Sequence, residues 1–176
     1  AWEPYTLSLR VVNWSKHFSR LDAAHIPRQW QHSLFEQATW LRSNLEYHIQ
    51  ANHLFENLRA LAFCGSYFTG NTAASWRRLA EKLLLQQLSE QFLADGGHYE
   101  RSPQYHAIVT EGCLGLLDLC QSDSSLFGAE LEETLSSTIA DALTFMESIL
   151  DPQQNIPLLG DSAYNASSSY AELSAY

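Results

Sequence analysis

Apolar residues recur at a helical spacing along most of this chain, and no other feature limits its fold as strongly. The i, i+3, i+4, i+7 spacing places apolar side chains on one face of an α-helix. One such stripe starts at Trp76 and includes Leu79, Ala80, Leu83, Leu84, Leu88 and Phe92. Similar stripes lie at residues 54–62, 108–119 and 131–149, and an earlier one covers about Gln29 to Gln50. No segment has the period of two that is typical of strands, so the sequence predicts an all-α fold.

Glycine and proline separate these stripes at positions that predict turns. The positions are Gly65, Gly70, Gly96, Gly97, Gly128 and Pro152. Ser102 and Pro103 predict a helix start, with serine as the capping residue and proline at the first helical position. Helices of about 15 to 20 residues on short connections pack as antiparallel hairpins. Residues 164–176 are rich in Ser, Ala and Tyr without periodicity, so we predict an extended tail or linker there.

Length and composition exclude several classes of protein. The 176 residues, 45% of them apolar, are enough for one compact domain with a hydrophobic core and are unlike a disordered chain. A net charge of −10 without a basic cluster argues against a nucleic-acid-binding protein. No uncharged apolar run approaches the roughly 20 residues that span a bilayer. The start has neither a signal peptide nor an initiator Met, so we expect a piece of a longer protein.

The cysteines and histidines do not form a recognisable metal site. Three cysteines without a C-x-x-C pair predict buried thiols rather than a disulfide framework or a zinc site; they are Cys64, Cys113 and Cys120. Four histidines, His17, His25, His32 and His48, contain no H-x-x-x-H pair. We therefore expect neither a metal nor another cofactor.

The segment ANHLFEN, residues 51–57, is the first candidate for a functional site. Asn52, His53 and Glu56 lie at positions i, i+1 and i+4, which share one face of a helix. An amide, an imidazole and a carboxylate at a helix start are able to bind an anionic group. The alternative is structural, with Asn52 as a helix cap and Glu56 placed favourably in the helix dipole.

The segment DGGHYERSPQYH, residues 95–106, is the second candidate. Gly96 and Gly97 predict a tight turn, and Tyr105 and His106 fall in the first turn of the helix that starts at Ser102 and Pro103. The N–H groups and the positive dipole end of a helix start favour bound anions. The alternative is a tyrosine that packs its ring against the protein and bonds its hydroxyl to the backbone.

The segments NHLFEN, DGGHYERSPQYH and PLLGDSA (Pro157–Ala163), in this order, resemble those of the heparinase II/III-like polysaccharide lyases. The resemblance extends from about Trp14 to Ala163. It implies that residues 1–163 form part of an incomplete (α/α) toroid of helical hairpins, in proteins that add a C-terminal β-sandwich domain. That domain is expected to be a partner outside this chain. Ala51 stands where the family more usually has glycine before Asn-His.

The same resemblance implies β-elimination at a uronic acid within an acidic polysaccharide such as a glycosaminoglycan or alginate, in the periplasm or outside the cell. Asn52 would neutralise the uronate carboxylate with His53 beside it, and Tyr105 would act as general base, general acid or both. Glu56, Arg101 and His106 are the implied substrate contacts. The family also uses a histidine of the β-sandwich. Because a chain with a net charge of −10 repels a polyanion, the basic side of the cleft must be local or lie in that domain.

Two alternative functions remain open from the sequence. The first is a catalytically silent helical toroid that binds glycans. The second is an inverting glycoside hydrolase on a related toroid, which requires two carboxylates at a separation that a sequence does not provide. Its candidate acids are Glu36, Glu46, Glu100 and Glu111.

Overall fold

The computed structural model describes residues 2–49 and 51–176, and this part of the chain is helical with no strand. The α-helices are α1 (Pro4–Ser19), α2 (Arg28–Arg42), α3 (Ala51–Tyr67), α4 (Asn71–Gln91), α5 (Pro103–Ser122), α6 (Ala129–Ile149) and α7 (Tyr170–Ser174). A 3-10 helix, Ala23–His25, lies between α1 and α2. Among the described residues, no helix combines the length and the apolar character needed to cross a membrane. The predicted all-α class is confirmed.

The helices belong to two compact units. Unit 1 comprises Ala1–Leu84 with Ser125–Phe127, and unit 2 comprises Leu85–Ser124 with Gly128–Tyr176. Helix α4 contributes its residues up to Leu84 to unit 1 and the remainder to unit 2.

The core of unit 1 is built around α3, which is buried on nearly all sides. Helices α1 and α2 pack against α3 and against each other, and Trp76 of α4 packs on Phe35 of α2 with ring centroids 5.0 Å apart. Leu58 and Leu61 of α3 are fully buried. Burying each of these leucines contributes about 2 kcal/mol to folding. Helix α3 is therefore a rigid support for the side chains of its first turn.

Two elements of unit 1 differ from the sequence-based prediction. Helix α1 was not predicted, although Glu3 caps it by accepting the N–H groups of Tyr5 and Thr6 and Pro4 occupies its first position. Helix α2 was predicted to extend to about Gln50, which lies outside the described residues, but it ends at Arg42. The side-chain amide of Asn44 donates to the Trp40 carbonyl at 2.7 Å, which satisfies one of the carbonyls at the helix end.

Helices α5 and α6 form the main pair of unit 2, and α7 packs on both. Leu116 of α5 and Leu131, Leu135 and Met146 of α6 are almost completely buried. Helix α7 lies within residues 164–176, where the sequence predicts an extended tail. A capping box between Ser169 and Glu172 starts it, and the burial of Leu173 attaches it to the unit. The domain boundary at residue 163 stays a prediction.

The loop between α4 and α5 is a hydrogen-bonded turn, as the two glycines predict. The N–H of Leu93 donates to the Gly97 carbonyl at 2.9 Å, and the N–H of Tyr99 donates to the Gln91 carbonyl at 2.8 Å. Gly96 has a φ of +82° and lies against the backbone of α6, where a Cβ atom would be 2.7 Å from the carbonyl carbon of Asp141. Only glycine combines this backbone angle with so close an approach.

Candidate functional site

The sequence-predicted site residues fall into two sets, each within one unit. Asn52, His53 and Glu56 lie on α3 in unit 1. Arg101, Tyr105 and His106 lie at the start of α5 and just before it, in unit 2. The structure therefore describes two local arrangements at helix starts.

The first arrangement begins at Ala51, whose φ of +52° is in the left-handed region. A residue with a Cβ atom is strained there by roughly 1–2 kcal/mol, whereas glycine is not. This angle provides a physical reason for the glycine that the family more usually has at the position. Asn52 follows directly and is mostly buried, with 6% of its surface exposed.

His53 is the most exposed of the three predicted residues on α3. Its ring nitrogen Nδ1 lies 3.1 Å from Oε1 of Glu46, and about a third of its side chain (32%) is exposed. Tyr5 stacks on the imidazole with ring centroids 4.5 Å apart and an angle of 29° between the planes. The imidazole is thus held at one nitrogen and on one face, and its Nε2 atom remains for other partners.

Glu46 is a site residue that the sequence suggested only as a possible glycosidase acid. It lies in the turn after α2, and its side chain is almost fully buried. No short motif connects it to His53, because the contact depends on the path of the chain between α2 and α3. A glutamate seven residues before the histidine was the only signal that the sequence contained.

Glu3, Glu46 and His53 are the one group among the described residues with the atoms and spacing to hold a metal ion, all within 4.8 Å of one another. The protein already uses these atoms. Both oxygens of Glu3 accept backbone N–H groups of α1, and the bond from Thr6 is the main reason why the pKa of Glu3 is lowered. Glu46 bonds His53 and Asn57. We assign no metal to this cluster.

Glu56 is placed differently from a substrate contact. It is 1% exposed, and its carboxylate accepts two hydrogen bonds from Arg59, at 3.0 and 3.1 Å. A buried carboxylate with such a partner stabilises the helix in which both residues lie. This placement favours a structural role for Glu56.

The second arrangement is the start of α5, which presents Tyr105 in the first helical turn. Ser102 caps the helix with its hydroxyl 3.5 Å from the N–H of Tyr105, as the sequence predicts. The N–H group of Gln104, which precedes Tyr105, donates to Oγ of Ser162 at 3.1 Å. The Gln104 side chain in turn accepts the N–H of Ala163 at 2.9 Å. The PLLGDSA segment therefore supports the helix turn that carries Tyr105, a role that sequence reasoning missed.

His106 and His98 form a buried pair near the start of α5. His106 Nδ1 accepts the N–H of His98 at 3.2 Å, and its Nε2 donates to the Ala142 carbonyl at 2.9 Å. Burial lowers the pKa of His106, and burial followed by the proximity of His106 lowers the pKa of His98 to about 4. Both ring nitrogens of His106 are occupied, which favours a structural role over the predicted substrate contact.

Arg101 is exposed and precedes the cap of α5 with a φ of +55°. It borders a cavity of about 340 Å³ within unit 2. The cavity is lined by apolar residues that include Leu93, Phe145 and Leu159 and by polar residues that include Arg101 and Ser102. Arg101 is thus the only residue of the predicted substrate contacts that the described structure places at an open surface.

A family model described as heparinase II/III N-terminus matches residues 1–175. The chain belongs to this family. A heparin-sulfate lyase of Pedobacter heparinus is 28% identical over 167 residues, which cover 92% of this chain and 25% of that protein. A heparin-sulfate lyase of Bacteroides stercoris is 25% identical over 116 residues, or 65% of this chain and 17% of that protein. The chain therefore spans a quarter or less of the length of these relatives.

Solved structures of a heparinase III and of a heparan sulfate lyase are similar to this chain in fold. A heparinase III structure matches with a TM-score of 0.73 at 21% identity and covers 98% of this chain and 27% of its own. A heparan sulfate lyase from Pedobacter heparinus matches with a TM-score of 0.66 at 25% identity and covers 92% of this chain and 26% of its own. The predicted family and its fold class, part of an (α/α) toroid of helical hairpins, are confirmed. The predicted roles of the site residues stay predictions.

Proposed function

We propose that this chain supplies the helical part of a lyase that cleaves a uronic-acid-containing acidic polysaccharide by β-elimination. The observation that carries the proposal is the heparinase II/III family match over nearly the whole chain. The heparin-sulfate lyases among its relatives favour heparan sulfate or heparin as the substrate class, with alginate as the alternative. The proposed site of action is the periplasm or the outside of the cell.

The reaction requires two proton transfers and one bond cleavage. A base removes the proton at C5 of the uronic acid, and the electron pair forms a C4=C5 double bond as the C4–O bond breaks. The leaving oxygen accepts a proton. Removal of the C5 proton is slow while the adjacent carboxylate is negative, so hydrogen bonds that neutralise this carboxylate stabilise the developing enolate.

Asn52 and Tyr105 are the residues to which we assign these tasks. Each lies in the first turn of a helix, where the positive end of the helix dipole favours an anion. The Asn52 amide donates to the uronate carboxylate, with His53 as the neighbouring group. The Tyr105 phenol exchanges protons with C5 and the leaving oxygen. Arg101 is the proposed cationic contact for the polyanion.

The test uses the full-length protein that contains this chain, with heparan sulfate, heparin and alginate as separate substrates. The unsaturated product is followed by the ultraviolet absorbance of its conjugated double bond. Tyr105→Phe and Asn52→Ala are each expected to lower kcat at least about 100-fold, since each removes a group that acts in the transition state. Tyr164→Phe, which removes the hydroxyl of an exposed tyrosine, serves as the matched control and should retain full activity.

The outcomes separate the three candidate functions. An increase in ultraviolet absorbance that the Tyr105→Phe variant does not produce supports the lyase. The glycan on which the increase occurs identifies the substrate class. Binding without cleavage of any of the three glycans would contradict the lyase proposal and favour a silent glycan-binding toroid. Cleavage to saturated products, without the absorbance, would favour the glycoside hydrolase.

A further inference from the structure

Two hydrogen bonds to Asn57 fix the position of Glu46 independently of its contact with His53. The backbone N–H of Glu46 donates to Oδ1 of Asn57 at 2.9 Å, and Nδ2 of Asn57 donates to Oε2 of Glu46 at 3.0 Å. Nδ2 also lies 3.1 Å from the hydroxyl of Ser8, and both Asn57 and Ser8 are fully buried. Because Oδ1 of Asn57 accepts an N–H group, its Nδ2 must be the atom that faces Glu46. Oε2 of Glu46 is therefore an acceptor.

The second carboxylate oxygen of Glu46 fixes the protonated nitrogen of the imidazole. Oε1 lies 3.1 Å from Nδ1 of His53, and a carboxylate at this distance accepts the proton of that nitrogen. In the neutral ring the lone pair then resides on Nε2. The Tyr5 ring, stacked at 4.5 Å, limits rotation of the imidazole out of this plane.

We propose that Glu46 is a positioning residue for the lyase reaction, which holds His53 in the Nδ1–H tautomer with Nε2 directed away from the carboxylate. Asn57 is the anchor that aligns Glu46. The inference rests on the proposed function, because it assumes that His53 acts beside Asn52 at the substrate. Glu46 itself acts only through His53. Partners of this kind orient a functional histidine much as outer groups orient the histidine ligands of metal ions.

A double-mutant cycle in the full-length protein tests this inference. Glu46→Gln replaces the Oε2 acceptor or the Oε1 acceptor with an N–H donor, so that one of the bonds to Asn57 and His53 is lost. We expect kcat on the glycan that the wild type cleaves to fall about 10- to 100-fold, with KM changed less than threefold. In a His53→Ala background the same substitution should change kcat by less than about twofold, since the two residues act as one unit.

The matched control is Asp22→Asn. Asp22 also pairs with a histidine, His25, at 3.6 Å, but both side chains are well exposed and take no part in the proposed site. It should leave kcat unchanged. The positioning role would be overturned if Glu46→Gln left kcat unchanged in the wild-type background. It would also be overturned if the substitution lowered kcat as much in the His53→Ala background as in the wild type.

A second measurement does not depend on activity or on the folding of a Glu46 variant. Nitrogen NMR of the histidine-labelled wild-type protein, with the His53 signals assigned by their loss in His53→Ala, reports which ring nitrogen carries the proton. We expect the proton of the neutral His53 ring to reside on Nδ1. A neutral His53 with its proton on Nε2 would refute the inference even if the lyase activity is found. If the wild type cleaves no glycan, the proposed function fails while the tautomer still decides whether Glu46 orients His53.

Discussion

Replacing Gly96 by alanine should destabilise unit 2 far more than an ordinary glycine substitution. Gly96 has a φ of +82°, and a Cβ atom would lie 2.7 Å from the carbonyl carbon of Asp141 on α6. The backbone angle costs an alanine about 1–2 kcal/mol. Overpacking against the α6 backbone, which has no flexible end to move, adds about 1–3 kcal/mol. We expect a total near 3 kcal/mol.

Gly70→Ala is the matched control for the backbone angle. Gly70 has a φ of +91°, but no atom lies within 4 Å of the position that a Cβ would occupy. Only the angular strain applies, so the expected loss is about 1–2 kcal/mol. Alanine also lowers the conformational entropy of the unfolded chain relative to glycine, which stabilises the protein. This contribution is the same for both substitutions and does not change the comparison.

Buried cysteines allow the two units to be measured separately in the full-length protein. Cys64 reports on unit 1, and Cys113 and Cys120 report on unit 2; all three are buried. Burial raises the pKa of the Cys64 thiol to about 12, so it reacts only when the structure opens. A stability loss of about 3 kcal/mol raises the labelling rate of a buried thiol about 100-fold, and a loss of about 1.4 kcal/mol raises it about tenfold.

Gly96→Ala should therefore accelerate the labelling of Cys113 and Cys120 about 100-fold, and Gly70→Ala should accelerate that of Cys64 about tenfold. Mass spectrometry after pulse labelling measures each site relative to its own wild-type rate. If Gly96→Ala has no larger effect than Gly70→Ala, the close approach of this loop to α6 is wrong.

Two further predictions concern the start of α3 and the buried histidines. Ala51→Gly should slow Cys64 labelling about threefold, because relief of the left-handed strain exceeds the added chain entropy of glycine by about 0.5–1 kcal/mol. Ala140→Gly, at an exposed position in the middle of α6, should instead accelerate labelling of the cysteines in unit 2. If both glycine substitutions changed the labelling rate in the same direction, this reasoning would be contradicted. Because burial lowers the pKa of His98 to about 4 while an unfolded histidine titrates near 6.5, the unfolded state binds more protons between these pH values. Unit 2 should lose about 3 kcal/mol of stability as the pH falls through this window. Amide hydrogen exchange in α5 measures this loss of stability. If a His98→Asn variant showed the same pH dependence as the wild type, His98 would not be its cause.

Signals that act within one helix turn were readable in the sequence. The apolar stripes predicted α4, α5 and α6, and Ser102 with Pro103 predicted the start of α5. Helix α1 was missed, although Leu7 and Val11 show its buried face and Glu3 caps it. Leu7, Val11, Trp14 and Phe18 have a helical spacing, so the signal for α1 was present in the sequence. The candidate residues of the lyase, including Asn52 and Tyr105, came from the family resemblance rather than from periodicity.

Contacts between distant parts of the chain were decided only by the tertiary structure. Ser162 reaches Gln104 across 58 residues, and Glu46 meets His53 because the chain turns between α2 and α3. His106, predicted as a substrate contact, likewise has both ring nitrogens bonded inside the protein, one of them to the Ala142 carbonyl 36 residues away. Side-chain type and spacing do not reveal which neighbours the fold will bring to a given residue.

The sequence by itself therefore determined the helical class, most helix positions, the family and the residue types available for chemistry. All of these depend on local spacing or on short motifs, which are properties of adjacent residues. The tertiary structure alone decided which candidates are buried, which nitrogen of His53 is held and which segment supports Tyr105. These features depend on how helices pack, and packing brings together atoms whose separation along the chain has no fixed value.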